Sequence, residues 1–241
     1  MRIDIITIFP KMVDAYLNES ILKRAIQDKK VEINVINLRD YSDLKHNQVD
    51  DTPYGGGSGM LLQFPPFYRA INDLKKENTR VLLTSPKGKT YNQALARDYA
   101  SLEHIIILCG HYEGIDHRVN HFIDEEVSVG DYVLTGGELS ALILTDSIVR
   151  LLPGVIEEES HLNDSFEDGL LEHPHYTKPQ RFEGFDVPEI LLSGNHGKIA
   201  EWRRFMSLKE TYHKRPDLLK KLELSKKDLE MLEIIKEGHD D

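Results

Sequence analysis

The sequence predicts an α/β fold in which a mostly parallel sheet is covered by helices and is followed by a smaller helical domain. Three observations support this prediction. Short apolar runs alternate with amphipathic runs over the first 156 of 241 residues, several apolar runs end in glycine-bearing loops, and the last third shows only helical periodicity. With 40% hydrophobic residues, the chain can also bury a sizeable core.

The order of these runs predicts the elements of the first domain. The segments predicted to be strands are RIDIITIF (2–9), VEINVINL (31–38), RVLLTS (80–85), HIIILCG (104–110) and EEVSVG (125–130). The segments predicted to be helices are SILKRAIQ (20–27), PFYRAINDLKKE (66–77), NQALARDYASLE (92–103), IDHRVNHFI (115–123) and ELSALILTDSIVRLL (138–152). Such alternation is typical of parallel strands joined by helical crossovers.

A polar, acidic stretch interrupts the pattern at 157–172 (EEESHLNDSFEDGLLE) and is interpreted as an interdomain linker. Residues 173–241 form the second domain, for which the pattern is helical only: 195–214, 215–222 and 225–237. Ser225 begins the last of these segments and is expected to cap its helix, because a serine side chain can accept hydrogen bonds from free backbone N–H groups.

The charge is uneven along the chain. The formal net charge is −11, but residues 198–227 hold 10 basic and 4 acidic residues, and 113–172 hold 2 basic and 15 acidic ones. A locally basic region can face phosphate, although a solvated surface with uneven charge explains the same counts equally well. The single Cys109 excludes an internal disulfide, and the sequence has no apolar run of membrane-spanning length and no recognisable leader, so a cytoplasmic protein is expected.

Two glycine loops resemble nucleotide-binding motifs but lack a required residue. Gly88-Lys89-Thr90 would need a glycine where Leu83 stands to form a phosphate-binding loop. The PYGGGSGM segment would need a glycine in place of Met60 to match the dinucleotide fingerprint. His117 and His121 are four residues apart, but they have no obvious third zinc ligand, and a surface helix face is the better interpretation.

The remaining glycine loops, TSPKG, CGHYEG and SVGDYVLTGG, follow successive predicted strands. In open α/β sheets ligands bind at that edge. Glycines there either let backbone groups approach a small planar ligand or serve turns and helix caps, and the sequence leaves both explanations open.

Several long motifs, in one order and over nearly the whole chain, carry a family resemblance. They are DDTPYGGGSGM, CGHYEGIDHRV, SVGDYVLTGGEL, RLLPGV, NDSFEDGLLEHPHYTKP and VPEILLSGNHGKIAEWR. The chain thereby resembles the bacterial tRNA (guanine-N(1)-)-methyltransferase (TrmD) family. The resemblance implies a SPOUT-class domain with a deep trefoil knot, a helical C-terminal domain that binds tRNA, and an obligate homodimer. It also implies methyl transfer from S-adenosylmethionine to N1 of the guanosine directly 3′ of the anticodon, a modification that maintains the reading frame.

The resemblance also implies site residues. Asp164 matches the proposed general base, and Arg150 matches the arginine that steadies charge on the guanine or orients the aspartate. Residues expected to hold the cofactor are Pro86, Gly88, Gly110, Val129, Gly130, Asp131, Tyr132, Val133, Leu134, Gly136 and Gly137. Residues expected to contact the substrate are Asp50, Gly57, Tyr112, Glu113, Ser165, His175, Arg203 and Lys214. Many family members carry arginine where this chain has His111, so the resemblance does not carry a fixed positive charge over to that position.

The tail supplies further expectations about tRNA. Residues predicted to hold the tRNA backbone, near Trp202 and Tyr212, are Lys198, Arg203, Arg204, Lys209, Lys214 and Arg215. No metal ligands are assigned, and the sequence leaves open whether a magnesium ion takes part in the transfer. A nucleotide hydrolase, a non-catalytic RNA-binding module and a methyltransferase acting on another RNA remain the alternatives.

Overall fold

The computed structural model describes residues 1–157 and 164–238. It divides into two compact units, Met1–Glu157 and Glu158–Asp241. Residues 158–163 of the predicted linker lie outside the described part. No helix of the described residues is long and apolar enough to cross a bilayer.

The first unit is built on a five-stranded parallel sheet with the order β2-β1-β6-β5-β7. Its strands are β1 (Arg2–Thr7), β2 (Glu32–Asn37), β5 (Thr79–Thr90), β6 (His104–Leu108) and β7 (Glu125–Ser128), and β3 (Asp50–Asp51) and β4 (Leu61–Leu62) form a separate antiparallel pair. Its helices are α1 (Pro10–Leu17), α2 (Ser20–Gln27), α3 (Phe64–Leu74), α4 (Gln93–Ala100) and α5 (Glu138–Val149).

All five predicted strands and four of the five predicted helices of this unit are thus confirmed. The helix predicted at 115–123 is wrong, since the structure has only a short 3-10 helix at His117–His121. Helix α1 was not predicted. Pro10 in its first turn is a common signal for the start of a helix, because a proline at that position loses no hydrogen bond. The predicted trefoil knot stays a prediction.

Both faces of the sheet are buried. This agrees with the continuous apolar sequence of its strands, because strands of a parallel sheet are covered by helices on both sides. Successive residues of β6 enter opposite cores: Ile105 and Ile107 pack with helices α1, α2, α4 and α5, whereas Ile106 and Leu108 pack with α3. The alternation follows from the two-residue repeat of a strand. The central strand is therefore packed on both faces up to its carboxyl end, where a glycine loop begins.

The second unit contains α6 (Glu189–Leu192), α7 (His196–Lys214), α8 (Pro216–Leu219) and α9 (Lys226–Glu237). The expectation that it is helical only is wrong, because β8 (Arg181–Phe182) and β9 (Phe185–Asp186) form a hairpin. Glu183 and Gly184 both have positive φ at its turn, the combination that a tight two-residue turn requires. A run of two residues per strand is too short for a periodic signal in the sequence.

A small apolar core joins α7 and α9. It contains Leu170, Leu208, Met231, Leu232 and Ile235. The predicted cap of the last helix is confirmed: the Ser225 hydroxyl accepts from the Asp228 N–H, and the Asp228 carboxylate accepts from the Ser225 N–H.

Candidate active site

A cleft of about 370 Å³ opens at the carboxyl edge of β5, β6 and β7. Three loops form its walls: 84–87, 110–117 and 128–137. The structure therefore brings together the three glycine loops that the sequence placed at this edge. The predicted residues that line the cleft are Pro86, Gly110, Tyr112, Glu113, Val129, Gly130, Tyr132, Val133, Leu134, Gly136 and Gly137.

Gly88 does not line this cleft, and the structure gives its small size a different reason. A Cβ atom on Gly88 would lie 2.4 Å from the backbone carbon of Glu126 and 2.4 Å from the nitrogen of Val127. Strand β5 bulges between Thr84 and Lys89 and returns to pair with β7. Gly88 lets those two backbones meet, so its contribution is to the shape of the cleft wall.

Gly137 lines the cleft and is tightly packed against neighbouring backbone. Its N–H donates to the Gly110 carbonyl at 2.8 Å, and an added Cβ would lie 2.9 Å from the Cα of Cys109. This contact fixes the start of α5 against the end of β6. Gly110 differs, because a Cβ there would meet only Ile115 at an ordinary 3.7 Å.

The wall at 129–134 presents apolar side chains to the solvent. Tyr132, Val133 and Leu134 are 54%, 84% and 37% exposed, although each borders the cleft. Asp131 lies in the same segment but does not line the cavity. Exposed apolar side chains around a concave site are typical of ligand-binding surfaces.

The opposite wall carries Tyr112 and Glu113. Tyr112 has a positive φ of 58°, and its ring packs edge-on against His111 with 4.8 Å between centroids. Glu113 donates its N–H to the Met60 carbonyl, and its side chain passes directly over Gly59. The GGGSGM loop thus supports the position of the Glu113 carboxylate.

Asp50 and Gly57 belong to this supporting segment and do not border the cleft. Asp50 pairs with Leu62 in the β3–β4 ladder, and Gly57 has a φ of 132° in the loop between these strands. Their predicted contact with the substrate stays a prediction.

Glu138 is a buried carboxylate that sequence reasoning missed. It is only 2% exposed, lies in the first turn of α5, and accepts a hydrogen bond from Thr7 Oγ1 at 2.7 Å. Burying a charge is costly, and the helix N-terminus offsets part of the cost. The sequence signal was the acidic residue directly after the glycine pair of SVGDYVLTGGEL.

His111 lies beside Glu138 under the cleft. A Cβ on Gly136 would lie 2.5 Å from His111 Nδ1 and 2.3 Å from Glu138 Oε2, so both atoms approach the same point. Among the described residues, His111 Nδ1 is buried without a hydrogen-bond partner. The ring also packs edge-on against Phe9.

The predicted catalytic pair is divided between the units. Arg150 is the C-terminal cap of α5 in the first unit. Asp164 and Ser165 belong to the second unit, where the Asp164 carbonyl accepts from Glu167 N–H and the Ser165 hydroxyl accepts from Glu172 N–H. These bonds form a local turn around the proposed base.

The basic residues of the second unit are mostly paired with carboxylates. Arg204 donates to Asp228 at 2.8 Å and also binds Asp168, while Lys214 pairs with Glu210 and Arg215 with Asp217. These pairs weaken the expectation that the residues act as free phosphate contacts. His175 Nε2 donates to Glu172 Oε1 at 2.7 Å, and Arg203 lines a separate cavity of the same unit.

Known proteins match this chain over most of its length. Residues 1–221 match the family described as tRNA (Guanine-1)-methyltransferase TrmD. The chain is similar to proteins named tRNA (guanine-N(1)-)-methyltransferase from three bacteria. The protein of Acholeplasma laidlawii is 53% identical over 239 residues, 99% of this chain and 98% of that protein. That of Staphylococcus carnosus is 55% identical over 236 residues, with 97% and 96% covered, and that of Bacillus cereus is 53% identical over 243 residues, with 99% and 100% covered.

Proposed function

The chain belongs to the tRNA (guanine-1)-methyltransferase family, and we propose that it methylates N1 of the guanosine directly 3′ of the anticodon, position 37 of tRNA. The match over 221 residues carries this assignment. The cleft fits it, because a glycine-walled cavity without either nucleotide-binding motif suits a ligand that has an adenine and no phosphate. The methyl donor of the family is S-adenosylmethionine.

The cleft residues are proposed to hold and orient the donor. The cleft residues of this loop, Val129, Gly130 and Tyr132 to Leu134, would hold the adenine, mainly through backbone groups. The loop SVGDYVLTGG has no lysine or arginine, which suits a ligand that carries a positive sulfonium. The donor supplies a methyl group already activated on sulfur.

Tyr112 and Glu113, on the wall of the cleft, are proposed to contact the acceptor guanine. Its N1 lone pair forms the new bond to the methyl carbon, and the electrons of the broken carbon–sulfur bond stay on sulfur. The Asp164 carboxylate takes the N1 proton as attack occurs, and Arg150 stabilises charge that develops on the guanine O6. Positioning the two reactants is the main task that remains for the protein.

We also propose that the enzyme is a homodimer and acts in the cytoplasm. Helices α1 and α5 pack together, and these helices with the cap residue of α1 carry large apolar side chains that are each 41–48% exposed: Phe9, Met12, Tyr16, Leu139 and Ile143. An exposed apolar surface of this kind is typical of a protein interface. In the proposed dimer, Asp164 of one subunit completes the cleft of the other.

Transfer of a labelled methyl group tests the reaction. Transcripts with guanosine 3′ of the anticodon should accept the label, and matched transcripts with adenosine there should not. If the protein methylates both transcripts equally, its target is another base. If it methylates neither transcript, a non-catalytic RNA-binding module is the better explanation.

Mixed dimers test the shared site. Chains with Asp164→Ala and chains with Gly137→Trp should each be inactive, and heterodimers of the two should recover one working site. A fully active monomer in sedimentation experiments would exclude the shared arrangement.

A further inference from the structure

A second cavity, of about 710 Å³, lies within the second unit. Its walls are the extended segment 173–180, Val187 after the hairpin, helix α6 and the first two turns of α7. Its volume is in the range of roughly 300–1,000 Å³ that is usual for sites of small organic groups. None of its lining residues belongs to the cleft of the first unit.

The cavity is lined by aromatic rings around the indole of Trp202. His173 lies 6.5 Å from that ring and Tyr176 lies 6.4 Å from it, measured between centroids. The interplanar angles are 57° and 51°, so neither ring is stacked face to face on the indole. Apolar side chains of Val187, Ile199 and neighbouring residues complete the lining.

The charged residues that line this cavity are all basic. Arg203 and Lys178 border it, and no aspartate or glutamate of the described residues is part of its lining. Arg181, Arg204 and Arg215 each form an ion pair with an aspartate, whereas the ion pairs found among residues 164–238 do not include Arg203. Arg203 therefore keeps its positive charge available for an anionic partner.

Burial lowers the pKa of His173 and outweighs the opposing effects of the Pro174 carbonyl and of Glu172, and the positive charge of Arg203 acts in the same direction as burial. The imidazole is therefore neutral near pH 7 and adds aromatic surface rather than charge. His175 is held in place by its hydrogen bond with Glu172. Two features thus coincide here: flat apolar rings inside the cavity and positive charge at its border.

We propose that this cavity holds one unstacked nucleobase of the tRNA substrate, separate from the guanine that is methylated. The base stacks on Trp202, with Tyr176 and His173 beside it, and Arg203 and Lys178 contact the flanking phosphates. Stacking on aromatic side chains and contact of cations with phosphates are the usual means by which proteins bind single-stranded nucleic acid. The absence of lining carboxylates in the described part of the cavity favours RNA over a cationic peptide. The proposal rests on the proposed function, because it takes tRNA as the ligand.

Fluorescence tests the contact directly, since Trp202 is the only tryptophan of the chain. With excitation that selects tryptophan, a tRNA transcript should quench or shift the emission, and a single-stranded RNA of the anticodon loop should do so at higher concentration. A blunt RNA duplex of the same length should have little effect, because its bases stay stacked. Emission that changes with protein concentration and not with RNA would show that a protein segment fills the cavity, and would overturn the proposal.

Variants give an independent measurement. Trp202→Ala should weaken tRNA binding roughly 5- to 150-fold, the range expected for loss of one stacked base. Trp202→Phe should keep binding within a few-fold of wild type, because phenylalanine still offers a ring. Phe185→Ala is the matched control, since Phe185 is an exposed aromatic residue of the same unit that does not line the cavity. Circular dichroism should show that all three variants are folded.

The outcomes separate this proposal from the assignment of the reaction. If wild-type protein methylates tRNA while its emission is unchanged and Trp202→Ala binds normally, the cavity is not a base site and the methyltransferase assignment stands. If wild-type protein binds and methylates no tRNA, the assignment fails first. Loss of binding in Trp202→Ala with unchanged affinity for S-adenosylmethionine would support the cavity.

Discussion

The contact between Gly137 and the end of β6 should determine both the stability of the first unit and the affinity of the cleft. In Gly137→Ala, the new methyl group would lie 2.2 Å from Thr84 Oγ1, 2.9 Å from Cys109 Cα and 2.9 Å from the Gly110 nitrogen. Two of these three atoms belong to the backbone and cannot rotate away. The start of α5 or the loop after β6 must therefore move.

Overpacking of this kind costs about 1–3 kcal/mol of unfolding free energy. For a chain of this length each kcal/mol lowers the melting temperature by about 2–4 °C, so a decrease of about 2–12 °C is expected. The same movement displaces the wall at 129–137, and affinity for S-adenosylmethionine should fall with it. Calorimetry and equilibrium binding measure the two effects.

Gly110→Ala is the matched control inside the same cleft. Its methyl group meets only Ile115 at 3.7 Å, so the melting temperature should stay close to that of wild type. Binding of S-adenosylmethionine should nevertheless weaken if the ligand approaches the Gly110 backbone. A Gly137→Ala protein with wild-type stability and affinity would refute the argument, because it would show that these backbones yield without cost.

Three further predictions concern catalysis, acid stability and RNA binding. Asp164→Asn keeps the size of the side chain and removes the proton acceptor. Single-turnover methyl transfer should therefore slow by a factor of roughly 10² to 10⁴, while cofactor affinity stays within a few-fold of wild type. A near-normal rate would exclude Asp164 as the base. Hydrogen bonds from Arg204 lower the pKa of Asp228 from 3.8 to about 2. This pair should therefore stabilise the second unit above about pH 4 and lose its effect as the pH falls through 2, and Arg204→Ala should flatten that part of a stability-against-pH curve. Lys198→Ala combined with Arg203→Ala should weaken tRNA binding and lower the slope of its salt dependence, whereas an unchanged slope would show that neither residue contacts phosphate.

The elements of the first unit could be predicted because their signals are local. A buried parallel strand such as His104–Leu108 is a continuous apolar run, and a helix such as Glu138–Val149 is long enough to be recognised by its length and composition. The errors fall on short elements. The helix predicted at 115–123 is reduced to a 3-10 turn, and the hairpin at 181–186 was missed, because two-residue strands have no measurable period.

The loops of the cleft were also predictable, but the roles of their residues were not. The sequence placed Gly88 and Gly137 in loops at the end of strands, where a glycine serves either a ligand or the chain itself. Only the distances to Glu126, Val127 and Cys109 show that these two glycines accommodate neighbouring backbone. Contacts between residues far apart in the chain leave no local pattern.

By itself, the sequence determined the α/β class, the carboxyl-edge loops and, through its motifs, the family. These depend on apolar periodicity and residue order, which act over a few residues at a time. The tertiary structure decided which side chains meet: Glu138 with Thr7 across 131 positions, Arg204 with Asp168 and Asp228, and Trp202 with Tyr176 at the border of a cavity. Such pairs form because folding closes long loops around a packed core, and their geometry is set by the whole core and not by the segments that carry them.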